Sequence, residues 1–182
     1  MSDEEIIAEV RKGNHSAFRE LIDRYESRVA ATVIGMLGPG AEAEDVGQET
    51  FIRLYRSIDQ FRGESSLATY LTRIAINLSL NAIKRRRRFH RLFFLPDERT
   101  LQSYEDEETP EYGDERVFVH KALQKMEPKF RSVIVLRLLD GYSTAETARI
   151  LQIPQGTVLS RLARAQLKLK DILTPYWEVN HG

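Results

Sequence analysis

Cationic, amide and aromatic side chains recur at steps of three and four residues between positions 70 and 88. Such steps place side chains on one face of a helix. Cations bind phosphates, amides hydrogen-bond to base edges, and an aromatic ring stacks on an unpaired base. The members of this face are Tyr70, Arg73, Asn77, Asn81, Lys84, Arg85 and Arg88. The pattern predicts a surface for nucleic acid, including bases that have left the duplex.

The alternative for this face is an ordinary solvated helix surface whose basic end is favoured by the helix dipole. No acidic residue occurs between positions 66 and 88, whereas a solvated face usually mixes both signs of charge. The run of four arginines from Arg85 to Arg88 is a weaker signal, because it points around the helix and binds any polyanion. The absence of acidic residues favours the nucleic-acid interpretation.

A second polar face is predicted from position 155 onward. Ser143 and Glu146 have the spacing of a capping box, which predicts a short helix, and Pro154 suits the start of the next one. This pattern is typical of a helix-turn-helix, whose second helix enters the major groove, although a small bundle with an amphipathic last helix is the alternative. The predicted reading residues are Gln155, Gly156, Thr157, Ser160, Arg161, Arg164 and Lys168.

Other side chains give no pattern that predicts catalysis. The chain has no cysteine, which excludes disulfides and thiolate chemistry. Its four histidines are scattered without metal-ligand spacing, and its carboxylates form no recognisable catalytic pair. We therefore predict no catalytic residue, no metal site, no cofactor and no enzymatic activity.

The elements that position these faces are predicted to be helices, because apolar residues recur with a helical period and no stretch alternates with a period of two. The predicted fold is all-α, with two small helical domains at residues 1–92 and 116–182. Residues 93–115 are predicted to form a flexible acidic linker. The predicted helices include ranges near 42–59, 66–88, 115–126, 129–140, 144–151 and 155–172.

Charge is strongly segregated although the net charge is zero. Residues 1–60 carry a net charge of −5 and residues 61–95 carry +7, whereas residues 96–127 carry −6 and residues 128–182 carry +4. Two basic blocks separated by an acidic one predict two sites for a polyanion. No apolar run reaches the ~20 residues that span a bilayer, and the acidic start is unlike a secretory signal, so we predict a cytoplasmic protein without membrane insertion.

Two long stretches resemble conserved regions of bacterial sigma factors. Residues 43–88 resemble the second region, with the sequence AEDVGQETFIRLYRSIDQFRGESSLATYLTRIAINLSLNAIKRRRR. Residues 123–169 resemble the fourth, with the sequence LQKMEPKFRSVIVLRLLDGYSTAETARILQIPQGTVLSRLARAQLKL. The chain has no room for the domain that lies between these two regions in larger sigma factors. In this respect it resembles the compact extracytoplasmic-function (ECF) group. The resemblance implies a factor that directs RNA polymerase to the promoters of a stress or envelope-response gene set and melts them.

The resemblance also implies roles for individual residues. Asp45, Gln48 and Glu49 match positions that dock on core RNA polymerase, and they lie off the predicted core stripe of their helix. The turn with Phe61, Arg62 and Ser65 matches a loop that holds a flipped base of the −10 element. The face from Tyr70 to Arg88 matches the region that binds the melted −10 strand, and the helix from Gln155 matches the reader of the −35 element. Family members usually have an anti-sigma partner, which we expect here too.

Two other classes of protein stay open from sequence. A two-domain DNA-binding regulator that does not join polymerase would use the C-terminal half but leave the Asp45, Gln48 and Glu49 face unexplained. The other class is a helical adaptor whose partners are proteins only. Any affinity of its basic faces for DNA would not depend on the identity of Arg161 or Asn81.

Overall fold

The described part of the chain consists of helices and turns. The structure is a computed structural model that describes residues 1–93 and 115–181, with side chains through residue 175. The predicted acidic linker lies outside the described residues except for its two end positions. The predicted all-α class is confirmed, since no strand occurs in either described range. The helices are α1 (Asp3–Arg11), α2 (His15–Leu37), α3 (Ala41–Ser57), α4 (Leu67–Phe93), α5 (Glu115–Lys125), α6 (Pro128–Ile134), α7 (Thr144–Leu151) and α8 (Gln155–His181).

Helices begin where the sequence supplies capping side chains. Ser2 and Glu5 form a reciprocal capping box at α1, and Ser143 and Glu146 form another at α7. The Asn14 side chain accepts hydrogen bonds from two backbone amides at the start of α2. These caps satisfy amides that have no partner within the helix, so they fix where each helix starts.

Three helix ends differ from the sequence prediction. The helix predicted at 129–140 is α6 followed directly by a π-helical turn, Val135–Leu139. α4 extends to Phe93 because no glycine or proline interrupts the arginine-rich segment. α8 continues beyond residue 172, where the sequence predicts its end, and passes through Pro175. A proline inside a helix removes one backbone hydrogen bond but does not forbid the helix.

The first four helices pack around α2, which contacts α1, α3 and α4. Leu21, Leu54 and Leu71 are fully buried at the centre. The helical period predicts that Tyr55 shares one face of the helix near 42–59 with Val46, Thr50, Leu54 and Ile58. However, Tyr55 is 40% exposed, whereas Phe51, which this pattern omits, is 9% exposed. The Tyr55 ring instead packs on the edge of Phe18, with centroids 4.9 Å apart, at the rim of the bundle.

The last four helices pack around α8 and join the first four in one hydrophobic core. α8 contacts α5, α6 and α7, and the buried cluster that contains Leu71 also contains Ile134. α2 contacts α5, α6 and the π-helical turn, and α4 contacts α7. The two bundles are therefore packed against each other.

Asp140 ends the π-helical turn at this contact between the bundles. Thr32 Oγ1 on α2 donates a hydrogen bond to its carboxylate at 2.7 Å. Burial raises the pKa of Asp140 to about 6, against the lowering effects of the Thr32 hydrogen bond and of the Arg28 charge. Because its pKa is raised, this carboxylate binds its proton more tightly in the folded protein than in the unfolded chain.

This raised pKa predicts a pH effect on stability. The folded pKa near 6 exceeds the ordinary aspartate pKa of 3.8, so the folded state binds more protons than the unfolded chain between these pH values. The contribution of Asp140 to the free energy of unfolding should therefore increase as pH falls from 7 to 5, by about 1–2 kcal/mol. Urea unfolding at both pH values should show this gain in the wild type relative to Asp140→Asn, which cannot titrate. An equal pH dependence in the two proteins would contradict the prediction.

Candidate nucleic-acid interface

Helix α4 separates an apolar face from a polar one. Leu71, Ala75 and Ala82 are buried against the first bundle. Of the predicted DNA-binding face, Tyr70 and Arg73 are half-buried. The remaining predicted members are exposed, namely Asn77, Asn81, Lys84, Arg85 and Arg88. The structure thus presents cations and amides to solvent along one helix, as contacts to phosphates and base edges require.

The arginines and the lysine near the C-terminal end of α4 differ in their ion pairing within the described residues. Arg86, which points elsewhere, pairs with Glu42 at 2.8 Å. Lys84, Arg85 and Arg88 form no ion pair with any residue of the described ranges. An unpaired cation on an exposed surface can bind a phosphate without first breaking an internal contact.

Tyr70 is held in place at the N-terminal end of the face. Its ring meets that of Phe61 edge-on, with centroids 5.1 Å apart, and the Arg73 guanidinium lies over it at 5.2 Å. The Tyr70 hydroxyl donates to Ser57 Oγ at 3.0 Å. These three contacts hold the aromatic ring in one position.

The turn before α4 forms one wall of an open cleft of about 770 Å³. Arg11 anchors this turn by donating to the Ile58 and Phe61 carbonyls. The predicted loop residues Phe61, Arg62 and Ser65 all line the cleft, together with Tyr70 and Arg73. The structure therefore brings these five predicted site residues together.

The opposite wall of the cleft includes Arg149 and Gln152, which the sequence reading did not select. Both belong to the helix-turn-helix segment, about 80 positions along the chain from Tyr70. No local pattern could have found them, because their place in the cleft depends on how the two bundles pack.

The predicted docking residues lie on the outer side of α3. Asp45 and Gln48 are exposed, and Glu49 is half-buried. Arg53 Nε donates to Glu49 Oε1 at 3.0 Å, one helical turn away. Ile52 lies on the same side and is 44% exposed, an apolar neighbour that the sequence reading missed. The surface therefore combines carboxylates with an aliphatic side chain.

Helices α7 and α8 form the predicted helix-turn-helix. Gln152 ends α7 in the left-handed conformation with φ of 55°, and the Pro154 carbonyl accepts from the Thr157 and Val158 amides at the start of α8. Val158 and Ala165 are buried. Among the predicted readers, Thr157 and Arg161 are half-buried, and the exposed ones are Gln155, Gly156, Ser160, Arg164 and Lys168. Short polar groups precede longer cations on this face, as direct readout requires.

Comparison with known proteins identifies the family. The model of Sigma-70 region 2 matches residues 21–89, and that of Sigma-70 region 4 matches residues 119–169. The RNA polymerase sigma-H factor of Pseudomonas aeruginosa is 31% identical, over 95% of this chain and 94% of that protein. The chain belongs to the sigma-70 family. The ECF RNA polymerase sigma-E factor of Escherichia coli K12 is 34% identical over 96% of both chains, which confirms the predicted ECF group.

Two solved structures have a fold similar to that of this sigma factor. CnrH in complex with the cytosolic domain of CnrY has a TM-score of 0.71 and 25% identity, covering 95% of this chain and 97% of that one. A sigma factor RpoE bound to the anti-sigma factor NepR, from Bartonella quintana, has a TM-score of 0.69 and 23% identity, covering 86% and 96%. The second likeness shows the fold alone.

The described residues form neither a metal-binding cluster nor a membrane-spanning helix. Within the described ranges, no group of three or more histidines and carboxylates could hold a metal ion. No helix of the described part of this sigma factor is long and apolar enough to cross a membrane.

Proposed function

We propose that this ECF sigma factor directs bacterial core RNA polymerase to the promoters of a specific gene set, of the stress or envelope-response kind, and opens the DNA there. One observation carries the proposal: two separate polar surfaces, each suited to a different form of DNA, occur on one sigma-70 chain. We place its action in the cytoplasm and assign it no cofactor and no enzymatic activity.

In this proposal the two surfaces bind different forms of DNA. The α8 face reads the −35 element as duplex, by contacts from Gln155 to Lys168 in the major groove. The α4 face and the Phe61 turn capture −10 bases that have left the stack. Unpairing costs a few kcal/mol per base, and stacking and pocket contacts recover part of it. Binding energy alone thus drives strand opening, without nucleotide hydrolysis.

Residues 1–92 and 116–182 act in this proposal as the two DNA-binding domains on either side of the acidic linker. Core polymerase fixes their spacing, so each domain raises the effective concentration of the other at its DNA element. An anti-sigma partner is proposed by analogy with the RpoE structure, which was solved with the anti-sigma factor NepR.

Transcription with purified components tests the proposal. Core polymerase supplemented with this sigma factor should produce run-off transcripts from some members of a promoter library, and core polymerase alone should not. Absence of any transcript, together with no complex in a pull-down with core polymerase, would favour the DNA-binding regulator instead.

Charge reversal on α3 should separate polymerase binding from DNA binding. Asp45 is exposed and Glu49 faces the same side, so the double variant Asp45→Lys/Glu49→Lys presents cations where a basic partner surface would dock. We expect at least about a tenfold loss in affinity for core polymerase, since like charges at an interface cost over 1 kcal/mol. The measurement is fluorescence anisotropy of labelled sigma factor titrated with core polymerase.

The matched control is Glu26→Lys, an exposed carboxylate on α2 away from this surface. It should bind core polymerase like the wild type. Equal losses in the control and the α3 variant would show a general charge effect and contradict the assignment of the docking surface.

A further inference from the structure

Three arginines line the open cleft that contains Phe61 and Tyr70. Arg62 belongs to the turn before α4, Arg73 to α4 and Arg149 to α7. None of the three forms an ion pair with another described residue. The described residues that line the cleft include a single carboxylate, that of Glu64, so three positive charges and one negative charge leave a net charge of +2. A concave site with an excess of one sign of charge attracts an ion of the other sign.

Two aromatic rings form part of the same lining. Phe61 and Tyr70 meet edge-on with their centroids 5.1 Å apart, and both rings border the cleft. The Tyr70 hydroxyl donates to Ser57, and Arg11 donates to the Phe61 carbonyl, so both residues are held in place without a ligand. Aromatic rings stack on any nucleobase, because every base has a π-face.

Amide side chains complete the lining from both walls. Gln60 precedes the turn, and Gln152 ends α7 on the opposite wall. Neither side chain hydrogen-bonds to another described residue. Amides that carry both a donor and an acceptor pair with the edges of bases. The cleft therefore combines groups that recognise a base with groups that recognise phosphate.

The size of the cleft indicates a compact ligand. Its volume is about 770 Å³, within the range of about 300–1,000 Å³ that is usual for small-molecule sites. An acidic peptide would match the charge but would leave the two aromatic rings and the two amides without a specific partner. A nucleotide matches all three kinds of group, because one molecule carries a flat base, hydrogen-bonding base edges and negative phosphates.

We propose that this cleft is a binding site for a free nucleotide. The base contacts the Phe61 and Tyr70 rings, and the phosphates lie among Arg62, Arg73 and Arg149. The site is composite, because Arg149 comes from the helix-turn-helix segment and the other four residues come from α4 and the turn before it. Nucleotide and melted −10 strand then compete for the same rings; this competition rests on the function proposed above, whereas nucleotide binding itself does not.

Isothermal titration calorimetry of the full-length free protein tests the site. ADP is the probe, because it joins a base to two phosphates, and adenosine and pyrophosphate are titrated separately at the same ionic strength. We expect ADP to bind at least about tenfold more tightly than either of the two parts. Pyrophosphate that binds as tightly as ADP would show a plain anion site and overturn the proposal. Absence of ADP binding at millimolar concentration would also overturn it.

Arg149→Ala tests the contribution of the α7 wall. Arg149 is exposed, so its removal should leave the fold intact. We expect about a tenfold loss in ADP affinity, since a hydrogen bond between charged groups is lost. The matched control is Arg19→Ala, an exposed arginine of α2 that does not line the cleft, and it should bind ADP like the wild type. Equal ADP affinities for the two variants would overturn the composite site.

Tyr70→Ala tests the aromatic wall. It should lower the affinity for ADP at least about fivefold and leave that for pyrophosphate unchanged, because stacking involves the base alone. Equal losses for both ligands would contradict the placement of the base.

Competition separates this proposal from the proposed function. Fluorescent single-stranded DNA of mixed sequence is bound to the free protein and followed by anisotropy while ADP is added. Displacement of the strand by ADP is the expected result. ADP that binds by calorimetry without displacing the strand would overturn the shared site. ADP binding together with no affinity for the single strand would support the nucleotide site and refute the proposed capture of the −10 strand.

Discussion

Replacing Arg131 with methionine should lower the free energy of unfolding of this sigma factor by about 3 kcal/mol or more, since several buried acceptors lose their donor together. Arg131 is 4% exposed. Its guanidinium donates to the Met36 carbonyl at 2.6 Å, to the Gln124 carbonyl at 2.8 Å and to the Met126 carbonyl at 2.9 Å. Gln124 Oε1 accepts a further bond at 3.0 Å.

The partners of Arg131 explain why a buried cation is tolerated without a carboxylate. The Met36 carbonyl is at the C-terminus of α2, and the Gln124 and Met126 carbonyls are at the C-terminus of α5. Such carbonyls lack partners within their helix and carry the negative end of its dipole. Burial, followed by the charges of Arg86 and Arg87, lowers the pKa of Arg131 to about 10, so the group stays charged at neutral pH.

Urea unfolding followed by circular dichroism measures this effect. The matched control is Lys129→Met, an exposed cation of the same helix, which should change stability by less than about 0.5 kcal/mol. Arg131→Lys keeps the charge but lacks the planar fork, so it should lose an intermediate amount. A loss below about 1 kcal/mol for Arg131→Met would contradict the capping role.

Single substitutions on the two proposed DNA-binding faces should separate duplex binding from strand opening. Arg161→Ala should weaken binding to duplex that carries the −35 element by about 1–3 kcal/mol, if its contact to a base is bidentate. Tyr70→Ala should spare duplex binding and impair opening by a similar amount, because base–aromatic stacking contributes about 1–3 kcal/mol. Asn81→Ala should behave like Tyr70→Ala, because Asn81 is exposed on the same helix face.

The structure supplies a control for the aromatic position. Tyr70→Phe keeps the edge-on contact with Phe61 and loses only the hydroxyl bond to Ser57, so it should retain most strand opening. Duplex binding is measured by anisotropy of the holoenzyme on a −35 probe at fixed salt, and opening by permanganate reactivity of −10 thymines. Equal loss of opening in all three alanine variants, with duplex binding unchanged, would refute this division.

The local structure of this chain could be predicted well from its sequence. The capping box from Ser143 to Glu146 predicted a helix at 144–151, and α7 has those bounds. The spacing along α4 predicted an exposed face, and Asn77, Asn81 and three of its cations are exposed. These predictions rest on interactions between residues no more than four positions apart, which the sequence contains in full.

Sequence reasoning failed where packing chooses between similar side chains. Phe51 and Tyr55 both flank the apolar stripe of α3, and only the fit against α2 and α4 buries the first and exposes the second. The π-helical turn was likewise predicted as ordinary helix, because its residues are apolar with a helical period. No local signal marked Arg131 as buried, since arginine is usually exposed.

The sequence by itself determined that this protein is helical and where several of its helices begin, and it predicted two polar helix faces for DNA. The tertiary structure alone decided how the bundles meet, because the contacts that join them are far apart in the chain. Thr72 and Tyr142 are 70 positions apart, Met36 and Arg131 are 95 apart, and Thr32 and Asp140 are 108 apart. Helical periodicity carries no information at such separations, so these partners emerge only when the folded helices bring them together.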